Sequence, residues 1–372
     1  MKRLFLILSI ISVLLLSGCF FLMDDASNSE IGKIGIGNLE QSVDYSDYEE
    51  IEDLLELRDF VIEQIEDDNL EFSFVYSGEE DLDPGVIAQM GGVCFVKYVQ
   101  EGKLYTVSVT EFPGARIVDA YFDDDTSKLN EDECLALEKA VEMVDEAQAI
   151  SEDDWELELA IHDILAQHIT YSHAPIDYDD PEDQPRHLSV VGALLDGSAN
   201  CQGYTDAFYT LASIAGFEVG RLSVETPSEP HMVNTICLND KWYVVDVTYD
   251  DSNDKMVNYH LFNVGMDFIG EEFYWPEEIE THSIVRKSDE LNYYIRNDLV
   301  FDDMEDLAGF VAKQYAKNDK TVIHAMLLDE DDSEELNEAL QLALEDYRIS
   351  YEYSLWYSDN GEDSFYTVIF KE

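Results

Sequence analysis

The stretch from Gly197 to Asp251 constrains this chain most. It opens GSANCQGYTDAFYTLASIAGFEVG and ends HMVNTICLNDKWYVVDVTYDD. Gly197, Ser198 and Asn200 are turn and cap residues. After them Tyr204, Ala207, Phe208, Leu211, Ala212 and Ile214 recur at helical spacing, and Gly216 supplies a C-terminal stop. The pattern predicts a largely buried helix with Cys201 in its first turn, where free N–H groups and the helix dipole favour a thiolate over a thiol. A helix this apolar must be covered by the rest of its domain.

Met232 to Leu238 and Trp242 to Val247 read as β-strands, with Asn239-Asp240 as the turn between them. If Leu238 pairs with Lys241, His231 falls opposite Thr248. Asp246 then lies diagonal to His231 on the same face, within side-chain reach. A carboxylate placed there orients an imidazole and stabilises its charged form. That imidazole would in turn activate Cys201.

These residues carry a resemblance. Cys201-Gln202-Gly203-Tyr204, His231-Met232-Val233-Asn234 and Trp242 through Thr248 resemble, in order, the three motifs of the transglutaminase-like superfamily, a circularly permuted relative of the papain-like cysteine peptidases. The resemblance covers the middle third of the chain. It implies Cys201 as nucleophile, His231 as general base and acid, and Asp246 as the orienting group. Val247 stands where the family often has Pro, and Val233 where it often has Trp; Tyr249 keeps the aromatic that often follows the threonine. The implied fold is α+β, a papain-like core with its nucleophile helix packed on an antiparallel sheet. The implied chemistry is acyl transfer without a cofactor, on a peptide or protein, with peptidases, amide hydrolases and cross-linkers all in the superfamily. The backbone N–H of Cys201 is one oxyanion donor. Gln184 and Tyr171 are the candidates for the second.

Composition narrows the partners. Eighty-three acidic against 21 basic residues give a formal net charge of −62, which argues against nucleic acid and against rest on an anionic lipid surface. Lys2-Arg3, the apolar run Leu4 to Leu16 and then Leu16-Ser17-Gly18-Cys19 read as a secretory signal whose end resembles a bacterial lipobox. Cleavage before Cys19 and lipidation of its thiol would hold an extracytoplasmic protein to the membrane through lipid alone. A cell-envelope peptide is then one candidate substrate.

The expected organisation is a signal peptide at 1–18, a tether at 19–44, an α+β domain at 45–122, the catalytic domain at 123–288 and a second α+β domain at 289–372. In the first flank, 45–66 reads as a helix, 70–76 as a strand, and 93–99 with 104–112 as a hairpin. The last flank repeats the rhythm, which raises an internal duplication. Helices are also expected from Asn130 to Ala149 and from Asp153 to Ile169. His162, His168, His173 and His187 lack the spacing and partners of a metal set and read as surface or loop residues, with His173 a candidate cleft lining. His260 and His282 receive no role, and Asp250 is expected to face solvent or cap a turn. Asn234 is expected to satisfy backbone, Trp242 and Tyr204 to be core. Cys94, Cys134 and Cys237 allow one disulfide at most. The competing reading is an inert lipoprotein scaffold that keeps the fold. A solute-binding protein would want two similar lobes around a cleft, which the order of elements does not offer.

Overall fold

A computed structural model describes residues 45–67, 69–78, 82, 93–174, 186–226, 230–251, 256–265, 290–318, 320–328, 333–345, 347, 352–359 and 363–371. The signal segment, the tether, Cys19, Gln184 and His282 lie outside them. Among the described residues no helix is long and apolar enough to cross a membrane.

The fold is α+β. At its centre the helix Cys201–Ala215 lies against a four-stranded antiparallel sheet, β7 (Glu218–Glu225), β8 (Pro230–Leu238), β9 (Lys241–Val245) and β10 (Phe262–Val264), ordered β10-β9-β8-β7. Tyr204, Ala207, Phe208, Leu211 and Ala212 bury completely or nearly so, and they share one core with Val219, Ile236, Tyr243, Val245 and Phe262. Helices Glu131–Ile150 and Asp154–His168 cover the remaining side, contributing Ala136, Ala140, Val144, Ile161 and Leu165. The first has a full capping box, Asn130 Oδ1 taking the Glu133 N–H and Glu133 returning to the Asn130 N–H, which fixes its start. Strand β7, an unexpected element, closes the free edge of β8, and the two-residue strands β5 (Thr170–Tyr171) and β6 (Ser198–Ala199) pair in parallel just ahead of the central helix.

The flanks differ from expectation at their edges. The first is not one helix from residue 45: a single 3-10 turn, Tyr45–Asp47, is followed by β1 (Glu49–Ile51), which pairs parallel to β2 (Glu71–Tyr76), and α1 (Leu54–Glu66) connects the two strands. Ile51 is fully buried in that pairing, and tertiary pairing here overrides the helical period. Strands β3 (Val93–Glu101) and β4 (Leu104–Glu111) form the expected hairpin through Gly102, at φ 67°. An unexpected helix, α2 (Pro113–Asp123), follows the hairpin. Pro113 at its start is well placed, because the missing N–H would be unpaired there anyway.

Both flanking sheets have one topology. In the first the strand order is β1-β2-β4-β3; in the second β11 (Val300–Phe301), β12 (Val322–Leu328), β13 (Tyr353–Asp359) and β14 (Asp363–Phe370) run β11-β12-β14-β13. In each, the first two strands are parallel across a helix and the last two add an antiparallel hairpin. Their docking differs. The first flank's core includes Leu188 and Met232, so it presses on the strand that carries His231. The second puts helices Met304–Asn318 and Ser333–Glu345 on one sheet face and turns Met326 and Phe365 into the central core from the other.

Candidate active site

The central helix, α5 by chain order after α1, α2, α3 (Glu131–Ile150) and α4 (Asp154–His168), begins at Cys201 because Asn200 caps it. Its Oδ1 accepts the N–H of Gly203 at 3.2 Å, and its own N–H is held by the His187 carbonyl at 2.9 Å. Gly203 has a packing reason. A Cβ there would sit 2.6 Å from the His187 carbonyl oxygen and 2.8 Å from the Ala199 Cβ. Gly to Ala within a helix ordinarily stabilises by about 1 kcal/mol. Here Gly203→Ala is expected to reverse that sign and cost on the order of 1–3 kcal/mol through overpacking, read by urea unfolding; equal or greater stability in the variant would refute the close approach.

Side-chain hydrogen bonds tie this helix to the sheet and to the segment that follows it. The Thr205 hydroxyl donates to the Met232 carbonyl at 2.9 Å, and Asn234 Nδ2 donates to the carbonyls of Thr205 and Gly220, each at 3.1 Å. The Tyr204 hydroxyl donates to Asp251 Oδ2 at 2.5 Å. Asn234 therefore acts on backbone. Together these bonds set Cys201 beside His231, near enough for the sulfur to act on the ring's charge.

His231 Nε2–H donates to Asp246 Oδ2 at 2.6 Å, which leaves the other ring nitrogen, Nδ1, for the sulfur. Burial disfavours a charged ring, yet the Asp246 charge and hydrogen bond, with Cys201 adding to them, outweigh it and raise the His231 pKa well above its ordinary value. The imidazolium is the favoured form. The hairpin register is the one deduced, Leu238 opposite Lys241 through Asn234 opposite Val245. The last step differs, because β9 stops at Val245 and Thr248 is not opposite His231. Asp246 is instead the N-cap of a one-turn helix, α6 (Val247–Asp250), its Oδ1 accepting the Tyr249 N–H at 3.1 Å. One carboxylate oxygen thus holds the turn and the other holds the imidazole.

Other candidates are relocated. Asp250 does not face solvent; it is fully buried and meets His162. His162 is no surface histidine, being fully buried as well. His168 Nε2 bonds the Leu194 carbonyl at 2.9 Å, and His173 is exposed, with its ring 4.8 Å from that of Tyr171. Tyr171 stacks over Tyr204 at 6.4 Å, near the start of the nucleophile helix. His260 lies between Tyr294 and Phe365, where burial pushes its pKa down to about 3. Trp242 is half-buried rather than core; Tyr204 is core. Cys134 and Cys237 are free thiols. Reading from sequence also missed a buried pair, Asp206 with Arg221.

Residues 142–247 match the model of the transglutaminase-like superfamily, so this segment, which holds Cys201, His231 and Asp246, is a transglutaminase-like domain. No curated protein sequence matches the chain. Among solved structures, a crystal structure of a TGase is similar at 11% identity, over 58% of this chain and 63% of that one, with a TM-score of 0.26. A candidate cysteine protease from Cytophaga hutchinsonii is similar at 11% identity, over 41% of this chain and 61% of that one, with a TM-score of 0.25. The chain thus spans less than two thirds of either solved chain's length.

Proposed function

We propose that this transglutaminase-like domain is a cysteine-nucleophile acyl-transfer enzyme using Cys201, His231 and Asp246. What carries the reading is the 2.6 Å bond from His231 to a buried carboxylate, with Cys201 close enough to favour the charged form of the same ring. The Cys201 sulfur attacks an amide carbonyl carbon, and the oxyanion takes the free N–H at the helix start. As the C–N bond breaks, the His231 proton passes to the leaving amine. Water then adds to the thioester, His231 takes its proton, and the C–S bond breaks to return the thiolate and imidazolium. We prefer hydrolysis of a peptide or amide to cross-linking, since an amine acceptor must outcompete water. Lipid anchoring through Cys19 at the outer face of a bacterial membrane, with a cell-envelope peptide as substrate, completes the proposal.

One observation favours a second reading, an inert scaffold: Cys201 is only 3% exposed and the His231 side chain 14%. Iodoacetamide labelling of Cys201 across pH separates the two, read site by site by mass. Enzyme chemistry requires labelling at about pH 6 that falls roughly tenfold or more in His231→Ala. A wild-type rate at pH 6 no higher than the variant's would make the domain a scaffold.

A further inference from the structure

A four-residue helix cannot hold itself together in water, yet α6 must keep Asp246 Oδ2 2.6 Å from His231 Nε2. The molecule solves this at the far end of the turn. Asp250 Oδ1 accepts the N–H of Leu261 at 3.3 Å, while the Leu261 carbonyl accepts the N–H of Asp246 at 3.0 Å. The Asp250 N–H in turn donates to the Asp246 carbonyl at 3.1 Å. Leu261 therefore clamps both ends of the turn. Asp250 Oδ2 meets His162 Nε2 at 3.2 Å, and His162 Nδ1 meets Asp163 Oδ1 at 3.1 Å. His162 belongs to α4, so a separate helix backs the turn.

We infer that Asp250 and His162 are positioning residues for the site, a second carboxylate–imidazole pair that pins the turn carrying Asp246 and so aims Asp246 at His231; this rests on the acyl-transfer reading above. The pairs stand in tandem: His162 on Asp250, and Asp246 on His231. Both members of the rear pair are fully buried, so neither can exchange its partner for water. Each member of the rear pair favours the charged form of the other. Burial works against a charged His162, but Asp163 and Asp250 prevail and raise its pKa to about 9. Burial pushes Asp250 up, with Asp246 adding to it and His162 opposing, to about 6. Of the other groups that face this pair, Glu158 is raised by burial to about 8 and bonds Asn263, and the Tyr259 hydroxyl donates to Asp163 at 3.2 Å. A charge-paired anchor leaves Asp246 as the carboxylate available to His231.

The test uses the full chain and iodoacetamide, with the pH profile of Cys201 labelling and the melting temperature both measured. Asp250→Ala removes both ties. Its labelling near pH 6 is expected to drop about tenfold, with little change near pH 9, as displacement of a supporting group warrants. Asp250→Asn keeps an acceptor for Leu261 and is expected to recover most of the loss. His162→Gln is expected to lose about threefold near pH 6 by the same loosening. A uniform loss at all pH values, or wild-type profiles in both Asp250→Ala and His162→Gln, overturns the assignment, as does an Asp250→Asn variant no better than alanine. If Asp250→Ala fails to fold, His162→Gln decides, and a wild-type profile there overturns it. A wild-type protein that labels no faster than His231→Ala marks a different failure, that of the acyl-transfer reading itself, and the inference falls with it.

Discussion

Replacing Asp246 by asparagine is expected to lower the rate of acyl-enzyme formation by about 10⁴-fold, the loss that neutralising a triad carboxylate produces elsewhere. The protein should stay folded. The amide oxygen of the new side chain can still accept the Tyr249 N–H that Asp246 now takes, and asparagine is as good an N-cap as aspartate. What the variant loses is charge. Asp246 is 1% exposed, so little solvent screens its field, and its charge is the largest influence favouring the protonated His231 ring. An amide in that place can also present its NH2 to Nε2 and hold the ring in the wrong tautomer. The measurement is single-turnover acylation by a chromogenic peptide anilide, with circular dichroism to check the fold. A variant acylating within threefold of wild type would remove Asp246 from the mechanism. Because the substitution is nearly isosteric, a large loss cannot be assigned to a collapsed site.

The front of this site was legible because local rules set it. Asn239 and Asp240 both adopt positive φ, 53° and 61°, as a two-residue hairpin turn of this type requires and as these two residue types tolerate. The turn fixes the register, and the register brings Asp246 near His231. The back of the site was not legible. Asp250 and His162 lie 88 residues apart, and an acidic residue just past a strand reads as solvated until its partner is known. The same holds for β1, whose acidic Glu49 and Glu50 give no strand signal until β2 is beside it. Polar groups buried in pairs look, one at a time, like surface.

Asp206→Ala is the substitution expected to cost the most stability, about 3–5 kcal/mol, because it strands a buried arginine. Asp206 sits on the inner side of α5, fully buried, with Arg221 Nη2 donating to its Oδ1 at 2.5 Å. Its Oδ2 accepts the N–H groups of Val190 at 2.9 Å and Gly114 at 3.2 Å. One carboxylate therefore joins the nucleophile helix to β7, to the segment before the helix, and to α2 of the first flank. Gly114 makes the approach possible, since a Cβ there would lie 2.4 Å from Asp206 Oδ1. The Arg221 guanidinium lies 3.5 Å from the Tyr209 ring centroid and 4.4 Å from that of Phe112. Those faces stabilise the cation but cannot replace its anion. Urea unfolding of Asp206→Ala measures the loss. The double variant with Arg221→Met is expected to be more stable than Asp206→Ala alone, since removing both charges ends the desolvation penalty. A single variant that loses under about 1 kcal/mol would mean that water reaches Arg221. The double variant also separates two jobs of the pair: if stability returns while Cys201 labelling near pH 6 stays low, the carboxylate's hydrogen bonds to Val190 and Gly114 set how the nucleophile helix is seated, and its charge serves only to keep the arginine inside.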